Sequence, residues 1–150
     1  MAEGGDEKTG REALSRMAYE AQLLQGQGRA LEQQVGALAE GAAQLNVALD
    51  SLKSLKGGDG GVALVPLGAG TMVRAKLTGE KKVLIDVGAG VVVEKELGDA
   101  IAVLEKRLEE TEGMRGGVER DMLAVSRRLQ AIDGEARGLM QKLKMMPGEE

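Results

Sequence analysis

An insert at residues 62–96, VALVPLGAGTMVRAKLTGEKKVLIDVGAGVVVEKE, decides the fold of this 150-residue chain. It is rich in valine and punctuated by glycine, and apolar side chains alternate with their neighbours in residues 71–77 and 82–87. A period of two residues is typical of strands that bury one face. We expect residues 78–81 to join these two strands as a hairpin turn.

Two flanking runs, residues 62–67 and 91–94, predict one further strand on each side. The tripeptide Gly-Ala-Gly occurs at residues 68–70 and again at residues 88–90, which predicts two related corners where glycine permits the backbone bend. About forty residues of sheet cannot enclose a stable core, and edge strands require partners. Residues 57–96 are therefore expected to form a four-stranded insert, with two hairpins, at which subunits join.

On both sides of the insert, apolar residues recur in alternating steps of three and four, the heptad pattern of coiled coils. The first seam consists of Met17, Ala21, Leu24, Gly28, Leu31, Val35, Leu38, Ala42, Leu45, Leu49 and Leu52. The second seam consists of Leu97, Ile101, Leu104, Leu108, Thr111, Arg115, Val118, Met122, Val125, Leu129, Ile132, Ala136, Leu139, Leu143 and Met146. Each seam predicts one long helix.

The predicted helices are of similar length. Thr9 and Glu12 have the spacing of a capping box, so the first helix is expected to cover residues 9–56. The second is expected to cover residues 96–146, with short flexible segments at both termini.

If the insert reverses the chain, seam residues whose numbers sum to about 153 meet, as Leu45 meets Leu108. The fold class predicted for residues 1–150 is α+β in a single domain. It is a long antiparallel coiled-coil helical hairpin with a four-stranded β insert.

The composition argues against an enzyme. The chain has no histidine and no cysteine, which excludes imidazole relays, thiol nucleophiles, disulfides and the usual zinc ligand sets. Its net charge of −4 includes no basic patch that would favour nucleic acid or an anionic membrane. No apolar run is long enough to span a bilayer, and residues 1–10 lack the apolar stretch of a signal peptide. We expect a cytoplasmic protein without metal, cofactor, nucleic-acid partner or membrane partner.

The two Gly-Ala-Gly corners do not match a nucleotide-binding loop. Val73 and Val93 stand where the dinucleotide fingerprint has its third glycine, and strand residues follow in place of a helix. The carboxylate of Asp86 is expected to pair with Arg74 or Lys76 across the predicted hairpin. A structural role therefore explains these residues better than catalysis does.

Apolar residues outside the seams gather where the first helix begins and the second ends, at Tyr19, Leu23, Met140 and Met145. The antiparallel pairing places these ends side by side, as an apolar tip that two helices alone cannot cover. Methionine is flexible and polarizable, so such a surface can fit many apolar partners. An alternative is that these residues stabilise the helix ends or fill the seam of another coil.

Glycine occurs often within both predicted helices, at a cost of about 1 kcal/mol per residue relative to alanine. Residues 113–117 would lie opposite residues 36–41. One hypothesis is a soft zone there that lets the tips splay, and compositional bias towards glycine is the alternative.

The insert resembles a known family in two runs, Val-Pro-Leu-Gly-Ala-Gly at residues 65–70 and VLIDVGAGVVVEK at residues 83–95. These runs are similar to the strand region of the prefoldin family, in its archaeal alpha class. The alpha class has a four-stranded insert, whereas the beta class has a two-stranded one. The glycine-rich helices depart from the lysine- and glutamate-rich helices of that family.

The resemblance implies an ATP-independent molecular chaperone subunit in a hexamer of two alpha and four beta subunits. In that family the strands assemble into an oligomeric double β-barrel, from which six coiled coils extend. Their tips hold non-native polypeptides, which are handed to a group II chaperonin. A structural coiled coil that oligomerises or tethers one defined partner is the alternative function.

We assign the site residues from their position in the chain. Capture of non-native protein is assigned to Met17, Tyr19, Leu23, Leu24, Leu139, Met140, Leu143, Met145 and Met146, called here the predicted capture residues. Subunit assembly is assigned to Val65, Leu67, Val73, Ile85, Val87, Val91, Val92 and Val93, called the predicted assembly residues.

Overall fold

The structure, a computed structural model, describes residues 2–57, 61–79 and 81–145. Two long helices flank four short strands. In chain order the elements are α1 (Ala2–Lys56), β1 (Val62–Gly68), β2 (Thr71–Lys76), β3 (Lys82–Gly88), β4 (Val91–Glu96) and α2 (Leu97–Met145). Two long helices with two small antiparallel sheets confirm that part of the predicted fold class.

The start predicted for the first helix is wrong. Helix α1 begins at Ala2, and the hydroxyl of Thr9 donates a hydrogen bond of 2.8 Å to the carbonyl of Gly5, one turn earlier in the same helix. Thr9 is therefore a residue of the helix interior and does not cap it. Helix α1 ends at Lys56, where a run of glycines begins.

The chain divides into two compact units. We call Met1–Leu38 with Met114–Glu150 the helical unit, and Ala39–Gly113 the sheet unit. In both units the seam residues that the structure describes are all buried or half-buried. The heptad pattern therefore identified the side chains through which α1 and α2 pack.

The helical unit shows the register of this packing. A Cβ atom added at Gly10 would lie 3.0 Å from Cδ2 of Leu143, and one added at Gly28 would lie 3.7 Å from Cγ1 of Val125. The residue numbers in each pair sum to 153, so the α1 and α2 segments of this unit run antiparallel in the predicted register. The absence of a side chain at Gly10 allows Leu143 to approach the α1 backbone closely.

In the sheet unit, a cluster of four buried aliphatic residues joins the helices. These are Leu49 of α1 with Leu97, Ile101 and Leu104 of α2. Val83 of β3 packs against the cluster, which attaches the second hairpin to the helices. Full burial of one such side chain contributes about 1.5–3 kcal/mol to stability.

The strands pair differently from the expectation. Strand β1 pairs with β2, and β3 pairs with β4, in two separate antiparallel sheets. The hairpin predicted across residues 78–81 is therefore wrong, and the Gly-Ala-Gly corners are the hairpin turns. Ala69 and Gly70 have φ angles of 48° and 77°, and two positive φ angles in a two-residue loop match the right-handed twist of the strands.

Asp86 has different partners from those the sequence suggested. Its Oδ1 atom accepts a hydrogen bond of 2.8 Å from the backbone N–H of Gly88. Its carbonyl oxygen accepts one of 2.8 Å from Nη2 of Arg107. The predicted pairing with Arg74 or Lys76 is wrong because those residues belong to the other sheet. Arg107 instead ties β3 to helix α2.

The two hairpins repeat each other at a distance of twenty residues. The N–H of Leu77 bonds the carbonyl of Gly61 at 2.8 Å, and the N–H of Leu97 bonds the carbonyl of Lys81 at 2.8 Å. The first glycine of each turn has the same φ of 112°. The sequence repeat therefore corresponds to a repeat of structure, as the related corners predicted.

The second turn contains a strained alanine that can be tested. Ala89 has a φ of 53°. In this left-handed conformation, residues other than glycine, asparagine and aspartate lose about 1 kcal/mol of stability. We expect Ala89→Asn to raise the free energy of unfolding by about 0.5–1 kcal/mol, measured by urea denaturation. The control Ala102→Asn, on an exposed helical position, should lower it by about 0.5 kcal/mol. A loss of stability in Ala89→Asn would contradict the turn geometry.

Candidate functional site

Four of the predicted capture residues are exposed on the helical unit. Tyr19 is 64% exposed and Leu23 is 57% exposed, four residues apart on α1. Met140 and Met145, near the end of α2, are 45% and 78% exposed. Large apolar side chains with this exposure are available for contact with another molecule.

Other predicted capture residues belong to the packing between the helices. Met17, Leu24, Leu139 and Leu143 are half-buried seam residues. Leu143, for example, packs against Gly10. Met146 lies outside the described residues. The seam members can therefore offer only part of their side-chain surface.

An open groove of about 630 Å³ lies between α1 and α2 in the helical unit, and we call it the α1–α2 groove. Its lining includes the apolar side chains of Leu14, Met17, Leu129, Ile132 and Met140. Small residues, Ala18, Ala21, Ser126 and Ala136, also line it and leave it unfilled. Of the predicted capture residues, Met17 and Met140 line this groove.

The sequence analysis did not identify the alanines that line the α1–α2 groove. A seam analysis singles out large apolar residues, whereas a groove forms where small residues of two helices lie near each other. The signal was available in Ala18, which lies beside the seam residue Met17, and in the predicted pairing of Ala21 with Ile132.

An ion pair joins the helices within the same unit. Arg128 donates from Nε to Oε1 of Glu20 at 2.7 Å and from Nη2 to Oε2 of Glu20 at 3.1 Å. Nη1 of Arg128 also lies 3.9 Å from Oε1 of Glu135. The hydrogen bond from Arg128 lowers the pKa of Glu20 below its ordinary value, and the same contact raises the pKa of Arg128. This two-point contact links α1 to α2 outside the seam.

Most predicted assembly residues are exposed on the two sheets. Val65, Leu67, Val73, Val87, Val91 and Val92 are all exposed. Val93 is half-buried. Ile85 is 7% exposed, so its side chain is mostly covered within the chain and offers little surface to a partner.

The two sheets differ in how far the chain covers them. The side of the second sheet that carries Val83, Ile85 and Val93 is buried or half-buried. On the first sheet, Leu64 and Met72 are exposed on one face, and Val65 and Val73 are exposed on the other. Apolar side chains on both faces of a two-stranded sheet require a partner, because such a sheet is marginally stable alone. Leu64 and Met72 on the first sheet and Leu84 on the second are further exposed apolar residues that the sequence analysis did not assign.

Among residues 2–57, 61–79 and 81–145, there is no group of three or more acidic side chains that could hold a metal ion. Within these same ranges, neither helix has a segment apolar and long enough to cross a membrane.

Comparison with known proteins agrees with this geometry. Residues 24–142 match the family model for the prefoldin subunit. The chain is 39% identical over 98 residues to prefoldin subunit alpha 1 of Thermococcus kodakarensis, covering 65% of this chain and 67% of that one. It is 31% identical over 128 residues to prefoldin subunit alpha of Pyrococcus horikoshii, covering 79% of this chain and 86% of that one.

The fold is also similar to that of a filamentous PFD from Methanocaldococcus jannaschii, determined by cryo-electron microscopy. The TM-score is 0.68 at 27% sequence identity, and the match covers 79% of this chain and 99% of that chain.

Two long helices that pack through heptad seams and carry two hairpins with exposed apolar side chains are typical of oligomeric coiled-coil proteins. The chain belongs to the prefoldin family. Membership implies a chaperone subunit, in agreement with the resemblance seen in the insert. Prefoldin alpha subunits form oligomeric complexes with other prefoldin subunits, which fits the uncovered sheets.

The contact between Glu20 and Arg128 predicts a pH-dependent stability. Because the pKa of Glu20 is lowered in the folded chain, its stabilising effect is present above the unfolded pKa and is lost as the pH falls through the folded pKa. We expect Glu20→Gln to lower the melting temperature at neutral pH and to match the unmodified chain in acid. Thermal melts of the Glu20→Gln variant and the unmodified chain, recorded from neutral to acidic pH, measure the two melting temperatures.

A control for this test is Glu12→Gln, an exposed position of the same helix, which should change the melting temperature little at any pH. An unchanged melting temperature for Glu20→Gln at neutral pH would show that the ion pair does not stabilise the helical unit.

Proposed function

We propose that this chain is a subunit of an ATP-independent molecular chaperone that captures non-native proteins on its helical unit. The observation that carries the proposal is the exposure of Tyr19, Leu23 and Met145, each more than half exposed, on the first and last parts of the helices. Exposed apolar surface of this kind marks interaction sites, and these three residues belong to the same helical unit. Non-native chains expose the apolar segments that such a surface binds.

The chemistry of the surface suits many clients. Methionine side chains are flexible and adapt to differently shaped partners. Each contact of this kind is weak, but several copies on one assembly act on one client at high effective concentration. Release then needs no nucleotide and no other cofactor, because individual contacts dissociate quickly.

For assembly, we propose prefoldin beta subunits as partners, in an alpha2 beta4 hexamer whose hairpins form a β-barrel. The support is the first sheet, which is exposed on both faces, and the exposed assembly residues of the second sheet. Burying these side chains in a partner sheet removes apolar area from water and pairs the free strand edges. Handing of clients to a group II chaperonin and a cytoplasmic location belong to the same proposal.

A second candidate is a structural coiled coil that joins copies of itself or tethers one defined partner. The similarity to a filamentous PFD favours it, and the uncovered sheets would supply the contacts between copies. The two candidates differ in what they do to denatured proteins, because a structural coil does not suppress aggregation.

The test is suppression of aggregation of a chemically denatured enzyme, followed by light scattering, with the chain assembled with a beta subunit. We expect the unmodified chain to suppress aggregation. Leu23→Ser should reduce this suppression by about half, because every copy of the chain in the assembly loses one weak contact with the client. The matched control is Leu123→Ser, since Leu123 is 51% exposed against 57% for Leu23 and also lies in the helical unit.

An equal loss of aggregation suppression in Leu23→Ser and Leu123→Ser would show that Leu23 has no special role in capture. Failure of the unmodified chain to suppress aggregation would favour the structural coiled coil.

A further inference from the structure

The α1–α2 groove has a lining suited to the apolar face of a helix. It is open, mostly apolar, and bordered by the helices of a single unit. Ala18, Ala21 and Ala136 let a third helix approach closely, because small side chains shorten the distance between helix axes. We propose that this groove binds one amphipathic α-helical segment whose apolar stripe is flanked by acidic residues. This inference rests on the proposed function and names the kind of client segment that the groove accepts.

The lining favours a helix over an extended segment. An extended segment brings unpaired backbone N–H and C=O groups, which must find partners when they are buried. The polar lining residues, Gln25, Ser126, Gln130 and Asp133, are too few to pair with every such group of a segment along the groove. A helix satisfies its backbone internally and places residues at steps of three and four into an apolar groove.

The groove is apolar on the seam side because its seam residues are partly exposed there. Met17, Leu129 and Ala136 are half-buried, so each keeps surface that a third helix can cover. The ion pair between Glu20 and Arg128 lies outside the lining of the groove. An occupant can therefore cover apolar surface without breaking this link between the helices.

The charge around the groove favours acidic flanks on the occupant. Arg11 lies seven residues before Ala18, and Arg29 lies four residues after Gln25, so both follow the groove-lining stripe of α1. On α2, Arg137 lies four residues after Asp133, and Lys144 lies four residues after Met140. All four cations are exposed within one helical turn of the groove-lining residues.

Two of these four cations pair with a carboxylate of their own helix. Glu7 pairs with Arg11, and Oδ2 of Asp133 lies 3.1 Å from Nη2 of Arg137. Exposed pairs one turn apart on a helix are weak and exchange readily with other partners. Within four residues of the groove-lining residues the chain carries eight cations and four carboxylates, so this part of the helical unit is net positive although the whole chain carries −4.

The first experiment compares two eighteen-residue peptides with the same apolar stripe at helical spacing, one with glutamate flanks and one with lysine flanks. Their affinities for the full chain are measured by fluorescence anisotropy at low and high salt. We expect the glutamate peptide to bind about tenfold more tightly at low salt, with the preference shrinking as salt screens the charges. Arg29→Gln and Arg137→Gln should each narrow the preference, and equal affinities for both peptides at low salt would overturn the acidic-flank assignment.

The second experiment places the peptide in the groove. Ala18→Leu adds bulk at an exposed groove-lining position, and Ala131→Leu adds the same bulk at an exposed position outside the lining. We expect Ala18→Leu to weaken peptide binding about tenfold or more, and Ala131→Leu to leave it nearly unchanged. Matching melting temperatures verify that both variants are folded, and similar affinities for the two variants would overturn the groove as the site.

A third peptide with a central proline, which cannot form a continuous helix, tests the conformation of the occupant. Equal binding of this peptide would overturn the helical occupant, and weaker binding would support it. These results are separable from the proposed function. If the unmodified chain suppresses aggregation but shows none of these peptide preferences, the groove assignment fails and the chaperone function stands.

Discussion

Burial of aliphatic side chains between α1 and α2 is the interaction on which the rest of the structure depends. The chain has one aromatic residue, so the seams must supply most of the apolar area that leaves water. Leu49, Ile101 and Leu104 do so in the sheet unit, where the second hairpin also attaches. In the helical unit Val125 and Leu143 pack against glycines of α1. Backbone pairing in the small sheets could not replace this contribution.

The seams determine which apolar side chains pack between the helices and which remain exposed for binding. Side chains inside them mainly hold the helices together and keep only part of their surface free, so the more exposed apolar residues lie outside them. Tyr19, Leu23 and Met145 are such residues in the helical unit, and Leu64 and Met72 are such residues on the first sheet. Because these side chains stay exposed, they add little burial energy to the isolated chain, and exposed apolar surface is the expected condition of surfaces that partners or clients cover.

The sequence predicted the seams well because a heptad repeat of aliphatic residues has one structural explanation. It failed on strand pairing because alternation in residues 71–77 and 82–87 is equally consistent with pairing across residues 78–81 or across the Gly-Ala-Gly turns. The φ angles of Ala69 and Ala89 decide between these, and no composition rule marks alanine for positive φ. The burial of Ile85 could not be predicted either, because it depends on which residues of different elements come together. The small residues of the α1–α2 groove, in contrast, were visible in the predicted pairing of Ala21 with Ile132.

The most direct test of the seam uses the lack of cysteine in this chain. In Gly28→Cys with Val125→Cys, the two sulfur atoms should form an intramolecular disulfide, because the position of a Cβ at residue 28 lies 3.7 Å from Cγ1 of Val125. In Gly28→Cys with Ile132→Cys, the second cysteine is displaced by about 10 Å along α2, and no such bond should form. Non-reducing electrophoresis and peptide mass spectrometry after mild oxidation distinguish the two. Cross-linking confined to the 28–125 pair supports the antiparallel register, whereas equal cross-linking of both pairs, or a bond only between separate chains, would contradict it.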